Sequence, residues 1–293
     1  MQAAPHVYDL SGGSATHKFR LRPLAEEDNK AEGQQKLNIK EMASYPSLRD
    51  RVVVVSGGAT GIGEAIVEAF AMQNAQVAFL DIQDAAAAVL VHKIESAGFP
   101  PPIYIRCDLT EISAVKESVE DILNRFKTVD VLVNNAGNDS RHSIEEVTSD
   151  YWDQAMAVNL KHQFFMAQAV IPSMKKAARG SIINMSSISW AIPSTGLPVY
   201  IAAKAAVVGL TRTLAHELGV HNIRVNCVMP GAILTQRQEQ LWFTEEYKSK
   251  VLARQALKRI IMPEEVARLI LFLAAEDSSS ITNQSFVIDA GWT

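Results

Sequence analysis

Val52-Val53-Val54-Val55-Ser56-Gly57-Gly58-Ala59-Thr60-Gly61-Ile62-Gly63 is the stretch that decides the fold. An unbroken β-branched run suits a strand with neighbours on both faces. Gly57, Gly61 and Gly63 then turn the chain into an amphipathic helix over 61–74. Such a turn needs positive φ and close backbone approach, which glycine meets at least steric cost. The free N–H groups and partial positive charge of a helix start suit an anion such as a pyrophosphate. The spacing is G-x-x-x-G-x-G, not G-x-G-x-x-G. A glycine cluster alone also reads as a plain tight turn, and its place between strand and helix is what points to a dinucleotide.

Working outward, a second strand over Gln76–Asp81 ends on a carboxylate 18 residues after Gly63. Asp81 there accepts hydrogen bonds from ribose hydroxyls and repels an additional phosphate. No Lys or Arg occupies 81–84, so NAD is expected over NADP; the other reading of Asp81 is a helix N-cap. Asp108 follows a third strand over Ile103–Arg106 and reads as a partner of the adenine amine or as a turn residue. Asn134-Asn135-Ala136-Gly137 ends a fourth strand over Val129–Asn134, and its small residues let backbone run beside a nicotinamide ribose. Helices are expected at 84–97, 111–126, 150–178 and onward from Tyr200 to Leu218, with strands at 180–186, 223–228 and 285–288. Strict alternation of strand and helix predicts an α/β fold, a doubly wound seven-stranded parallel sheet forming one domain over 45–293. Right-handed crossovers put the ligand at the carboxyl ends of the strands.

Chemistry enters through Ser187, Tyr200 thirteen positions later, and Lys204 one helical turn after that. Tyr200 and Lys204 are i and i+4 and share a helix face. A free phenol titrates near ~10, and a neighbouring ammonium favours its anion, so Lys204 is expected to make Tyr200 a usable base. Lys204 also reaches for the nicotinamide ribose. Ser187 orients a substrate oxygen, and Asn159 holds a water that relays the proton outward. The pattern fits removal of a proton from an alcohol with hydride transfer to a dinucleotide.

The formal net charge of −4 excludes a surface built for phosphate backbones, so no nucleic-acid partner is expected. Cys107 and Cys227 lie far apart with no C-x-x-C pattern, which reads as two reduced thiols. His162 and His216 lack metal-ligand spacing, and no metal is expected. No apolar run approaches the ~18 residues that span a bilayer, and no basic-then-apolar leader opens the chain. The expectation is a cytoplasmic protein with no membrane partner. Residues 1–44 are polar and mixed in charge and read as a mobile extension.

With these residues in place, the chain resembles the compact single-domain type of the short-chain dehydrogenase/reductase family. The resemblance covers about 46–293 and rests on Ser56–Gly63, Asp108-Leu109, Asn134–Gly137, Asn159, Ser187, Tyr200/Lys204, Pro230-Gly231 with Thr235, and Ile288–Trp292. Ser56 stands where Thr is usual, and Ala290 where Gly is usual. The resemblance implies cofactor contacts from Gly57, Thr60, Gly61, Ile62 and Gly63 in the turn. It implies others from Asp81, Ile82, Asp108 and Leu109 at the adenosine end, and from Asn135, Ala136 and Gly137. Near the nicotinamide it implies Tyr200, Lys204, Pro230, Gly231, Ile233 and Thr235. It also implies a homotetramer built through the Asn159 and Tyr200 helices.

More narrowly, Tyr45–Leu48, Asn134–His142, Tyr151-Trp152-Asp153, Ser187–Trp190 and Thr235–Gln238 resemble sugar 1-dehydrogenases of the D-xylose dehydrogenase type. That implies oxidation of a cyclic aldose to a lactone. Asp139, Arg141, His142 and Gln163 would supply polar contacts to the small-molecule substrate, and Trp190 a flat apolar platform, beside Ser187 and Tyr200. The other reading pairs Asp139 with Arg141 at the surface and puts Trp190 in the core. Loop 191–198 departs from the pattern of xylose enzymes. Trp242 and Phe243 read as a substrate lid or as an ordinary helix. The rival activities are a 3-oxoacyl thioester reductase, a dinucleotide-binding regulator without catalysis, and a scaffold using residues 1–44 as an arm.

Overall fold

The computed structural model describes residues 42–293. The extension expected at 1–44 falls almost wholly outside the described residues. Residues 42–44 are tied to the domain: Met42 packs on the core, and the carbonyl of Ala43 accepts from the Gln73 side chain at 3.1 Å.

The strands are β1 (Val52–Ser56), β2 (Gln76–Asp81), β3 (Ile103–Arg106), β4 (Val131–Asn134), β5 (Gly180–Met185), β6 (Ile223–Pro230) and β7 (Ser285–Ile288). They form one parallel sheet in the order β3-β2-β1-β4-β5-β6-β7. Alternation within β1 shows how the sequence makes the layers. Val53 and Val55 face one side, and Val52 and Val54 the other. On the first side they meet Ile66 and Phe70 of α1 (Gly61–Met72), Leu90 of α2 (Asp84–Ser96) and Ile270 of α9 (Pro263–Ala274). On the second they meet Val119 of α3 (Ile112–Phe126), Met166 of α5 (His162–Ala177) and Leu214 of α6 (Pro198–Leu218). Each helix thus buries its apolar stripe on the sheet, which makes the expected doubly wound α/β architecture.

The segment expected as one helix over 150–178 is interrupted. α4 (Ser149–Met156) runs into a π-helical turn, Ala157–Lys161, before α5 begins. A π turn accommodates an extra residue and is common at functional sites. Here it carries Asn159. After β6 two short helices stand over the sheet end, α7 (Gln236–Leu241) and α8 (Glu245–Arg254). Strand order reverses at β1, with β2 on one side and β4 on the other. That switch point opens a crevice at the strand carboxyl ends.

Candidate active site

The crevice is a cleft of about 920 Å³. One end is built by the glycine turn. Gly57 takes φ +66, and a Cβ there would lie 2.8 Å from the Ala136 Cα; a Cβ on Gly63 would lie 1.8 Å from the Gly57 carbonyl oxygen. The turn therefore packs against β4 only as bare backbone. Thr60, the N-cap of α1, makes no side-chain cap bond. The first turn of the helix so presents uncapped N–H groups to an anion.

Asp81 holds this turn to β2. Its carboxylate accepts from the N–H of Ala59 at 2.9 Å, of Ile82 at 2.8 Å and of Gln83 at 3.1 Å. The N-cap of α2 is Gln83, so the helix-cap reading of Asp81 falls away. Asp108 accepts from the backbone and hydroxyl of Thr110, the turn role, and it also lines the cleft. The strip after β4 is held from behind. Ser56 Oγ accepts from the N–H of Asn135 at 3.0 Å and of Ala136 at 3.2 Å. Asn135 Nδ2 returns a bond to the Gly57 carbonyl at 2.8 Å.

The other end carries the hydroxyls and the amine. Ser187 Oγ accepts from Ser189 N–H at 3.1 Å, which leaves its proton for a partner in the cleft. Tyr200 sits in the first turn of α6 and Lys204 one turn on, its Nζ 5.5 Å from the Tyr200 ring centroid. Lys204 is buried and donates to the Met185 carbonyl at 2.9 Å. Burial lowers its pKa to about 8. Tyr200 differs from the expectation: burial, then the Asp139 charge, push its phenol well above the usual range, and only the Ser187 hydroxyl works the other way. In the chain alone, desolvation sets the direction of the shift.

Asn159 bonds through both ends of its side-chain amide. Its Oδ1 accepts from Asn138 N–H at 2.8 Å, and its Nδ2 donates to the carbonyls of Asn138 at 3.0 Å and Ala155 at 2.9 Å. The side chain is a clamp on the loop after β4.

The substrate set divides. Asp139 and Arg141 line the cleft; His142, Gln163 and Trp190 are not among its lining residues. The His142 ring packs edge-on against Tyr151, with Nδ1 2.8 Å from the Tyr151 hydroxyl. Gln163 is buried, its Nε2 shared between the carbonyls of Asn159 and Met185, each at 3.3 Å. Trp190 closes a short 3-10 turn with over a third of its surface exposed. Nor do Asp139 and Arg141 pair with each other. Asp139 accepts from Gln238 at 2.5 Å and faces Arg237 at 3.7 Å. The Arg141 guanidinium lies 4.8 Å from the Trp242 ring and 5.6 Å from that of Tyr247. Trp242 thus ends α7 in contact with the wall of the cleft. Gln238, Ile192 and Trp292, which the sequence reading reached only as members of longer stretches, line the cleft, and so does Tyr247, which that reading missed. Neither local spacing nor charge marks Tyr247, because it arrives from α8.

The family model described as "Enoyl-(Acyl carrier protein) reductase" matches residues 57–293. The chain belongs to the short-chain dehydrogenase/reductase family. It is 49% identical over 251 residues to D-xylose 1-dehydrogenase of Caulobacter vibrioides, covering 85% of this chain and 98% of that protein. It is 44% identical over 249 residues to a probable galactose dehydrogenase of Rhizobium meliloti, covering 85% and 97%. Among solved structures, a 3-oxoacyl-[acyl-carrier protein] reductase from Brucella melitensis superposes with TM-score 0.79 at 32% identity, covering 85% of this chain and 94% of that one. As a short-chain dehydrogenase/reductase the protein is an oxidoreductase that uses a nicotinamide cofactor, and the glycine turn and Asp81 fit such a group. Among the described residues no helix is long and apolar enough to cross a membrane, and no cluster of His, Cys, Asp and Glu is arranged to hold a metal ion.

Proposed function

We propose that this enzyme oxidises a cyclic aldose at its anomeric hydroxyl, with NAD as cofactor, to give a lactone. One observation carries the reading. A single cleft is lined at one end by Asp81 and the glycine turn and at the other by Ser187, Tyr200 and Lys204. Gly57–Gly63 would hold the pyrophosphate and Asp81 the adenosine ribose, with Ile82, Asp108 and Leu109 around the adenine. Pro230, Gly231, Ile233 and Thr235 would flank the nicotinamide. When bound, the nicotinamide supplies a positively charged hydride acceptor. The rest falls to the chain. Ser187 donates to the sugar oxygen, Tyr200 takes its proton as the anomeric C–H bond breaks, and Lys204 keeps positive charge beside the phenol. Asn159 fixes the loop that carries Asn138 and Asp139.

The choice of sugar over thioester rests on the wall opposite Tyr200. Asn138, Asp139, Arg141 and Gln238 offer donors and acceptors for several hydroxyls, and two relatives bear sugar dehydrogenase names. The choice of NAD rests on Asp81. Among the described residues no cation lines the cleft beside it, and the nearby Arg106 is engaged by Asp84. The same reading carries a homotetramer through α4, α5 and α6, where Trp152 and Phe164 leave apolar surface exposed, and a cytoplasmic setting in which Cys107 and Cys227 stay unpaired. Initial rates of NADH and NADPH formation across a panel of pentoses and hexoses test the proposal. It expects at least one aldose to be oxidised with NAD preferred. Turnover confined to 3-oxoacyl thioesters with NADPH would overturn it.

A further inference from the structure

The Ser56 hydroxyl accepts two backbone N–H groups, from Asn135 and Ala136. Both oxygen lone pairs are then used, and its single proton needs an acceptor. His162 Nε2 lies 3.4 Å away. Ser56 and His162 are both fully buried, so water does not compete. A hydroxyl donating to Nε2 requires that nitrogen to be bare and the ring proton to sit on Nδ1. The ring also meets the backbone of Ala157 and Val158 in the π turn, and Nδ1 closes no well-formed bond. Burial, aided by the Lys204 charge, lowers the His162 pKa to about 3, so the ring is neutral at working pH.

We propose that His162 is a positioning residue of the dinucleotide site: as the Nδ1-protonated imidazole it takes the Ser56 proton and so fixes the hydroxyl that holds Asn135 and Ala136 at the cleft. The proposal rests on reading that cleft as the cofactor site. It assigns a role to a histidine that touches neither substrate nor cofactor. The strip after β4 cannot settle on the cofactor unless Ser56 keeps both lone pairs turned to it. An imidazolium would remove that option, since both nitrogens would then donate. The same ring joins the strip to the π turn, and so couples the backbone beside the cofactor to the segment carrying Asn159.

Two measurements on the full chain test this. Nitrogen-15 spectra of histidine in the cofactor-free protein should show His162 as the Nδ1–H tautomer at pH 7, still neutral at pH 5. An Nε2–H tautomer or an imidazolium would overturn the proposal. NAD dissociation constants, read by tryptophan fluorescence, should rise about tenfold in His162→Phe and in Ser56→Ala, the scale of one lost buried hydrogen bond. The double variant should bind no more weakly than Ser56→Ala alone, because both changes break one chain of bonds. His162→Gln, which keeps an acceptor and a donor, should recover part of the loss. Additive losses, or a His162→Phe protein that binds NAD as the wild type does, would overturn it. Should His162→Phe fail to fold, His162→Gln and the tautomer carry the test, and Ser56→Thr should keep NAD binding where Ser56→Ala weakens it about tenfold. A wild-type chain that binds neither NAD nor NADP would overturn the cofactor reading itself, while the tautomer still reports on the geometry.

Discussion

Asn159 and Asn138 hold each other twice: the Asn138 N–H donates to the Asn159 Oδ1 at 2.8 Å, and the Asn159 Nδ2 donates to the Asn138 carbonyl at 3.0 Å. The π turn points this side chain away from the helix and toward the loop after β4. Asp139 follows Asn138 directly and bears on the Tyr200 phenol. Replacing Asn159 with Leu removes both bonds at similar volume. A misplacement of about 1 Å in a catalytic wall costs roughly 100-fold, so kcat should fall by one to two orders of magnitude. Steady-state kinetics with saturating cofactor, beside an unchanged circular dichroism spectrum, checks this.

Lys204 sets stability against function. Its pKa falls from the ordinary 10.5 to about 8 in the folded chain. Between those values the unfolded state holds the proton and the native state has lost it, so stability rises with pH across that window. Below pH 8 the buried charge costs the fold its full penalty. Lys204→Met should therefore be inactive yet melt a few degrees higher at pH 7. The advantage should shrink as pH approaches 10.5. The Met185 carbonyl keeps its bond from Gln163 in the variant. Thermal melts at pH 7, 9 and 10.5 read the difference directly.

Asp81 serves the turn, and on the proposed reading it serves the cofactor as well. Asp81→Ala strands three backbone N–H groups, each costing about 1–3 kcal/mol where water does not replace the carboxylate. Asp81→Asn keeps one acceptor oxygen and removes the charge that repels a 2′-phosphate. We expect Asp81→Ala to lower the melting temperature clearly. Asp81→Asn should lower it less and raise the ratio of kcat/KM for NADP over NAD. An unchanged ratio in both variants would remove Asp81 from cofactor choice.

Arg141 closes α7 and α8 over the cleft through Trp242 and Tyr247. A cation–π contact is worth about 0.5–2 kcal/mol depending on exposure. Arg141→Ala should raise the sugar KM by roughly 2- to 30-fold on that scale while the KM for NAD stays near wild type. Equal rises in both constants would argue for general loosening of the domain instead.

The layers of the fold were legible because β-branched runs and helix periodicity encode burial locally. Val52–Val55 can only serve a strand packed on both faces, and Gly63 cannot carry a side chain where the Gly57 carbonyl passes. Tyr200 and Lys204 were visible as neighbours because i and i+4 share a helix face whatever surrounds them. Direction into the cleft was not legible. His142 and Gln163 are near the right segments in sequence, yet one ring turns to Tyr151 and the other side chain turns to Met185. Only tertiary packing decides that choice. The π turn at Ala157–Lys161 is a single extra residue within a long helical segment, too short a change for periodicity to single out. The high pKa of Tyr200 follows from desolvation, which no residue spacing records. Gln238 and Tyr247 reach the cleft from helices whose placement depends on long-range contacts.

The most direct test of the account is Tyr200→Phe, assayed for NAD affinity and for aldose turnover on the same preparation. Removing one oxygen leaves the ring packing and the Lys204–Met185 bond in place. The account predicts NAD binding within about twofold of wild type and turnover reduced by at least ~100-fold, the scale of a lost general base. A variant that turns over at close to the wild-type rate would contradict it.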